Sequence, residues 1–157
     1  MSTVSVRERI LENIQTTLAA IAAGATYNNT FASGTVQRFK QRGNQKAVCP
    51  CAIITAGPED KLFGPNEYYT NTLTVGIEVY ISQDESDTDD TDTELDTLLD
   101  DIIKALMVDI TRGGYARETH VKNVTPFITV ENQQYAGLII EVEVLYLHLI
   151  SDPATAG

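Results

Sequence analysis

The stretch Leu73-Thr74-Val75-Gly76-Ile77-Glu78-Val79-Tyr80-Ile81 alternates apolar and mostly polar residues without a break. Leu138, Ile140, Val142, Val144 and Tyr146 repeat the pattern near the other end of the chain. Side chains of an extended chain point to opposite faces in turn, so a period of two gathers each apolar set on one face of a sheet. Two such strands have to be paired and covered, which dictates a sheet with a second layer packed on it. Begun near Tyr69, the first is about 13 residues long, roughly twice the common strand length, and part of it is expected to project beyond the sheet. In the second, Glu141 and Glu143 hold the opposite face until Leu145, Leu147 and Leu149 make both faces apolar, so its far end is expected to be covered on two sides.

The covering layer is legible as helices. Val6, Ile10, Ile14, Leu18 and Ile21 form one apolar stripe over about Val6 to Ala23, opened by the capping box Ser5…Glu8 and closed by Gly24. Leu95, Leu98, Leu99, Ile102, Ile103, Leu106 and Ile110 form a second stripe, opened by Thr91…Glu94 and carried as far as Gly113-Gly114. Shorter strands are expected at Thr35 to Lys40, at Val48 to Thr55 and at His120 to Val130. Gly57-Pro58-Glu59-Asp60 and Gly64-Pro65-Asn66 mark a loop, and Pro126 sends the His120 strand to an edge or a bulge. The expected fold is therefore α+β: a single mixed or antiparallel sheet of about five strands with two main helices packed on it, in the order α-β-β-β-α-β-β. A chain of 157 residues suits one domain, 1–157, whose tail 151–157 is expected to be flexible.

Charge is distributed unevenly. Ten of the 22 acids, and no base, fall between Asp84 and Asp101, so without that segment the net charge of −11 shrinks to −1. Excess acid argues against a generic duplex-DNA binder, which works by neutralising phosphates. No apolar run approaches the roughly 20 residues that cross a bilayer, so no membrane is expected as a partner. The opening residues lack the apolar core and small-residue cleavage site of a secretory signal, so residence in a cytoplasm is expected.

Asp84, Glu85, Asp87, Asp89, Asp90, Asp92 and Glu94 invite a calcium or magnesium reading. An EF-hand starting at Asp87 would need glycine at Asp92 and glutamate at Leu98, so a solvated loop facing a partner or DNA is preferred and no metal is assigned. Cys49-Pro50-Cys51 offers two thiols where a structural zinc site needs four ligands; both are read as reduced, small buried hydrophobes. No Gly-x-Ser-x-Gly elbow or phosphate-binding glycine loop is present, since Gly113-Gly114 follows a helix, and neither an enzyme nor a cofactor is expected. Arg38, Lys40, Arg42 and Lys46 form a basic cluster with no acid between them. They read either as a charged edge strand protected against stray pairing or as a docking surface for an acidic partner, such as the Asp-rich segment of a neighbouring copy.

The order of elements, carried by the opening helix through Ile21, the strand Pro50-Cys51-Ala52-Ile53-Ile54-Thr55 entering a Gly-Pro loop, the Leu73–Tyr80 alternation, the helix beginning Glu94-Leu95 and the closing Gly137–Tyr146 strand, resembles the tail terminator proteins of tailed bacteriophages. These are also called tail-completion or tail-to-head joining proteins. The resemblance spans roughly Val6 to His148 and departs where a basic residue often follows the final tyrosine, here replaced by Leu147 and His148. It implies a non-catalytic virion subunit at the tail-neck junction, assembled in the host cytoplasm, forming a hexameric ring on the finished tail tube. Such a ring ends tube polymerisation and presents a face to the head-neck connector, while DNA passes through the lumen without specific binding. In that setting Arg38, Lys40, Arg42 and Lys46 would sit at a subunit, tube or neck interface, and the acids from Asp84 to Glu94 toward the lumen or a ring face. Alternatives are another neck or minor tail component on the same fold, a divalent-metal-dependent enzyme using the acidic cluster, and an acidic DNA mimic that inhibits a basic protein.

Overall fold

The computed structural model describes residues 4–38, 49–82, 91–128 and 135–157. Its elements are α1 (Val6–Ala19), β1 (Val36–Arg38), β2 (Cys51–Phe63), β3 (Tyr68–Ser82), α2 (Thr91–Val108), β4 (Glu118–Ile128), β5 (Tyr135–Leu149) and β6 (Asp152–Ala156). The strands form one sheet in the order β1-β2-β3-β5-β4, with β6 also paired to β5. Only β1 and β2 run parallel. The architecture is the expected α+β one, two helices on one mixed sheet, with a sixth strand that the sequence does not announce.

The two alternating stretches sit side by side at the centre. β3 and β5 pair without interruption from Tyr68↔Leu149 to Ser82↔Tyr135, so no part of β3 projects unpaired. Their apolar sets fall on the same face: Leu73, Val75, Ile77 and Val79, and across the ladder Ile140, Val142 and Val144, are all completely buried. Val6, Ile10, Ile14 and Leu18 of α1 and Leu98, Ile102 and Leu106 of α2 close over them in one continuous core. The opposite face, with Thr74, Glu78, Tyr80, Glu141 and Glu143, is half-buried over most of its length, with Ile139 exposed on it.

β2 runs past the predicted loop. Gly57 and Pro58 form a bulge between Ala56 and Glu59, after which pairing with β3 resumes as far as Phe63↔Tyr69. β1 covers β2 only at Ala52, Ile53 and Ile54, so the missing N–H of Pro58 interrupts no ladder on that side. The Gly64-Pro65-Asn66 signal is the turn, a 3-10 segment at Pro65–Glu67 with Asn66 and Glu67 at φ of 74° and 63°. β2 starts at Cys51, with Cys49 and Pro50 in a bend before it.

Both helices end before their sequence signals. The Ser5 hydroxyl accepts the Glu8 N–H as the capping box requires, but α1 stops at Ala19 and Gly24 does not cap it. Ile21 is still buried because the Phe31 N–H bonds its carbonyl and folds a loop back over the core, which preserves the apolar period without a helix. α2 stops at Val108, five residues before Gly113, because buried Arg112 donates from Nη2 to the carbonyls of Leu106 and Asp109 and satisfies the helix end. Thr91 is the first residue of α2.

β4 is the edge strand that Pro126 predicts, though its bulge lies between Val121 and Asn123. It pairs with β5 only as far as Leu145, which leaves the last turns of β5 open on that side. The tail fills the gap as β6, with His148↔Ala156, Leu149↔Asp152 and the Gly157 N–H on the Leu147 carbonyl at 3.2 Å. The expected flexible tail is thus ordered because unpaired backbone groups of β5 attract it.

Two carboxylates tie down the turns. The Thr111 hydroxyl, at 2.6 Å, and the Gly113 N–H, at 2.7 Å, hold the Asp109 carboxyl below its usual range. The Thr155 hydroxyl at 2.6 Å and the Ala154 N–H do the same for Asp152. A depressed carboxylate pKa contributes stability that is fully present above the unfolded value and lost as pH falls through the folded one. Amide exchange in 109–115 and in β6 should therefore accelerate first as pH drops below the ordinary 3.8, while β3 and β5 stay protected.

Candidate functional site

The most elaborate polar arrangement lies where β2, β3 and β5 pass the end of the helical layer. Glu59 and Lys61 follow the bulge of β2, Asn71 stands opposite Lys61 on β3, and Tyr146 and His148 face them from β5. Strand pairing alone sets these side chains on one face, in phase with the core. Asn71, Tyr146 and His148 are 0%, 1% and 6% exposed.

The Lys61 ammonium is the hub. It lies 3.1 Å from Glu59 Oε2, 2.9 Å from Asn71 Oδ1 and 3.1 Å from His148 Nε2, with the Tyr69 ring 5.6 Å away. Its three donors are thus matched by three acceptors, two of them on the buried residues Asn71 and His148, whose polar atoms need such a partner. His148 Nδ1 lies 2.8 Å from the Leu149 carbonyl, which can only accept, so Nδ1 carries the proton and Nε2 receives the one from lysine. The Tyr146 hydroxyl donates to Glu59 Oε1, and burial, with that carboxylate beside it, raises the phenol pKa. Asn71 Nδ2 reaches the Tyr69 carbonyl at 3.4 Å and so turns its oxygen toward the lysine.

These residues carry a signal in the sequence. Asn71 continues the odd-numbered apolar phase of β3, and His148 the even-numbered phase of β5, so each is a polar residue where a core residue belongs. Glu59 and Lys61 are concealed, since Gly57-Pro58 reads as a loop and only the observed bulge restores their register.

Of the residues singled out for their charge, three lie among those described. Arg38 makes a two-armed ion pair with Glu8 of α1, at 3.0 and 3.4 Å, so its guanidinium joins β1 to α1 while remaining partly exposed. Lys40, Arg42 and Lys46 lie outside the described residues, as do Asp84, Glu85, Asp87, Asp89 and Asp90. Asp92 and Glu94 are exposed in the first turn of α2, where acids suit the helix dipole. Asp96 and Asp100 continue an acidic outer face down that helix. Among the described residues no three of His, Cys, Asp and Glu gather as a metal-binding group. No helix there is long and apolar enough to cross a membrane.

Asp101 departs from this outer face. It is completely buried and accepts from the backbone N–H groups of Asn28 and Asn29, the latter at 2.8 Å, and from both asparagine side chains. Together with Lys104 Nζ on the Thr26 carbonyl at 3.0 Å, it fastens the loop after α1 to α2. Neither thiol is in a disulfide: Cys51 is buried and Cys49 only half-buried. Hydrogen bonding between them lowers the Cys49 pKa and raises that of Cys51, and Cys49 is half-buried where the sequence suggests a buried group. A shallow groove of about 390 Å³ runs along α1, where Arg9 Nη1 bonds the Tyr115 hydroxyl at 2.7 Å.

Apolar side chains are most exposed at two separate places, while Val4 and Ile139 elsewhere are each 40% exposed. Leu62 and Phe63, at the tip of the β2–β3 hairpin, are 69% and 72% exposed, and Val108, at the end of α2, is 78% exposed beside Met107 and Ile110. Two strands that lie at an edge over part of their length resist addition of a further strand: β2 by its bulge and Pro58, β4 by its bulge, Lys122 and Pro126. Comparison with protein-family models and with curated proteins finds no match to this chain.

Proposed function

We propose that the chain is a structural assembly subunit of the tail terminator type, which closes into a six-membered ring on a phage tail tube, ends its polymerisation and receives the head-neck connector. The observation that carries the proposal is the pair of unlike apolar surfaces, the hairpin tip at Leu62 and Phe63 and the end of α2 at Val108. A patch that meets a different patch on the next copy makes a heterologous contact, and repetition of that contact generates rings or filaments. The interruptions in β2 and β4 favour this mode, since they hinder strand addition between copies there and leave side chains to make the contact. The acidic face of α2, from Asp92 and Glu94 to Asp100, suits a wall past which DNA slides, because it offers phosphates no cation to bind. In this reading the virion tail-neck junction is its place, and the tube protein, the connector and its own copies are its partners.

Added to polymerising tail-tube protein, the purified chain should stop elongation and shorten the tubes at amounts far below one subunit per tube subunit. Leu62→Asp/Phe63→Asp should lose that effect while keeping the circular dichroism of the parent. Tubes that grow to the same length with and without the chain would contradict the proposal.

A further inference from the structure

We propose that Glu59, Asn71 and His148 form a cation site, filled in the resting chain by the Lys61 ammonium and open to a divalent transition-metal ion of the zinc and cobalt class when that ammonium leaves. Three acceptors from three neighbouring strands converge on one point, each within 3.1 Å of Nζ. The imidazole nitrogen and the carboxylate oxygen are ligands such ions favour, and the amide oxygen adds a weaker third donor.

The groups behind the three donors strengthen the argument. A metal-binding histidine almost always gives its other ring N–H to a carbonyl or carboxylate, which fixes the tautomer and aims the lone pair. His148 already does this through Leu149. A ligating carboxylate is usually held through its second oxygen, and Glu59 Oε1 has the Tyr146 hydroxyl. Asn71 is oriented through Nδ2 on the Tyr69 carbonyl. The site is therefore set for a cation before any external one arrives.

Lys61 is the replaceable part. Its side chain is 43% exposed whereas that of Glu59 is 8% exposed, so the ammonium can swing to solvent on its flexible stem while the acceptors stay in place. An incoming ion would draw the three atoms in to about 2.0–2.2 Å, through side-chain torsions, and keep at least one position for water. In the native chain the ion competes with a tethered ammonium, so its affinity should be low until Lys61 is removed.

Cobalt(II) chloride is titrated into the full chain, its Lys61→Ala variant and the double variant Lys61→Ala/His148→Gln, following visible absorption and Tm. Lys61→Ala should bind at least tenfold more tightly than the native chain, with new visible bands and a Tm that rises with cobalt, and the double variant should lose both. Equal affinity in the native chain and Lys61→Ala, or no binding by either, would overturn the proposal. Binding that survives His148→Gln would also overturn it. Should Lys61→Ala fail to fold by circular dichroism, Lys61→Gln replaces it with the same outcomes.

Discussion

Asp101→Ala should lower the free energy of unfolding by about 3 kcal/mol or more, the largest loss from any single acid on α2. The carboxylate is completely buried and collects two backbone and two side-chain donors from Asn28 and Asn29. Hydrogen bonds to a charged group contribute roughly 1.5–3 kcal/mol each, and removal of the acceptor forfeits several of them at once, although exposed Asn28 and half-buried Asn29 can turn partly to water. These terms overlap and do not add, which is why the expectation stays near the lower end of their sum. Asp101→Asn should lose about half as much, since one carbonyl oxygen remains to accept. Asp100→Ala, one residue away on the exposed face, should change stability by less than about 0.5 kcal/mol. Urea unfolding of the three variants checks the ranking, and equal losses from Asp100→Ala and Asp101→Ala would refute it.

Gly137→Val should destabilise the sheet by about 3 kcal/mol or more, against the sign that strand propensity gives. Gly137 pairs with Tyr80 on one side and Phe127 on the other, and those two rings meet edge to face across it with centroids 5.1 Å apart. A Cβ at this position would collide with the Val79 carbonyl oxygen and the Phe127 ring. A side chain could yield, but the carbonyl belongs to the central ladder and cannot. Gly76 provides the control: its nearest neighbour to a Cβ is the Thr55 carbonyl at 3.8 Å, so Gly76→Ala should be within about 1 kcal/mol of the parent. Thermal unfolding of both variants, with equal Tm values, would show that the aromatic pair does not depend on the glycine.

What the sequence made legible was whatever repeats locally. The phase of Leu73 to Ile81 and of Leu138 to Tyr146 placed the two central strands and their buried face, and the stripe from Leu95 to Leu106 placed α2. Period reports burial, however, and not conformation. Ile21 and Ile110 both continue a helical stripe, yet one is buried by a returning loop and the other is 43% exposed in the turn that Arg112 builds. Signals from Gly and Pro were ambiguous for a related reason. A Gly-Pro step reads the same in a loop and in an edge bulge, and only the pairing of Glu59 with Leu73 distinguishes them.

The polar sites were written in the exceptions to those patterns. Asp101 falls three residues after Leu98 on the inner stripe of α2, inside a run of acids that otherwise face solvent. Asn71 and His148 hold core phases of their strands. Their partners are 72 and 73 residues away for Asp101, and 87 for the contact between Lys61 and His148, beyond the reach of any local rule. β6 is concealed for a different reason: its partners His148 and Leu149 are close in sequence, but Asp152-Pro153-Ala154-Thr155-Ala156 carries no apolar alternation to announce a strand.

The central claim is that this chain closes on copies of itself through its hairpin tip and the end of α2. Native mass determination over a range of protein concentrations, alone and with tail-tube ends, tests it most directly. A six-fold species that grows with concentration or forms on the tube ends, and that Phe63→Asp or Val108→Asp removes without unfolding the subunit, is the predicted result. A monomer at every concentration that also leaves the tube ends bare would contradict it.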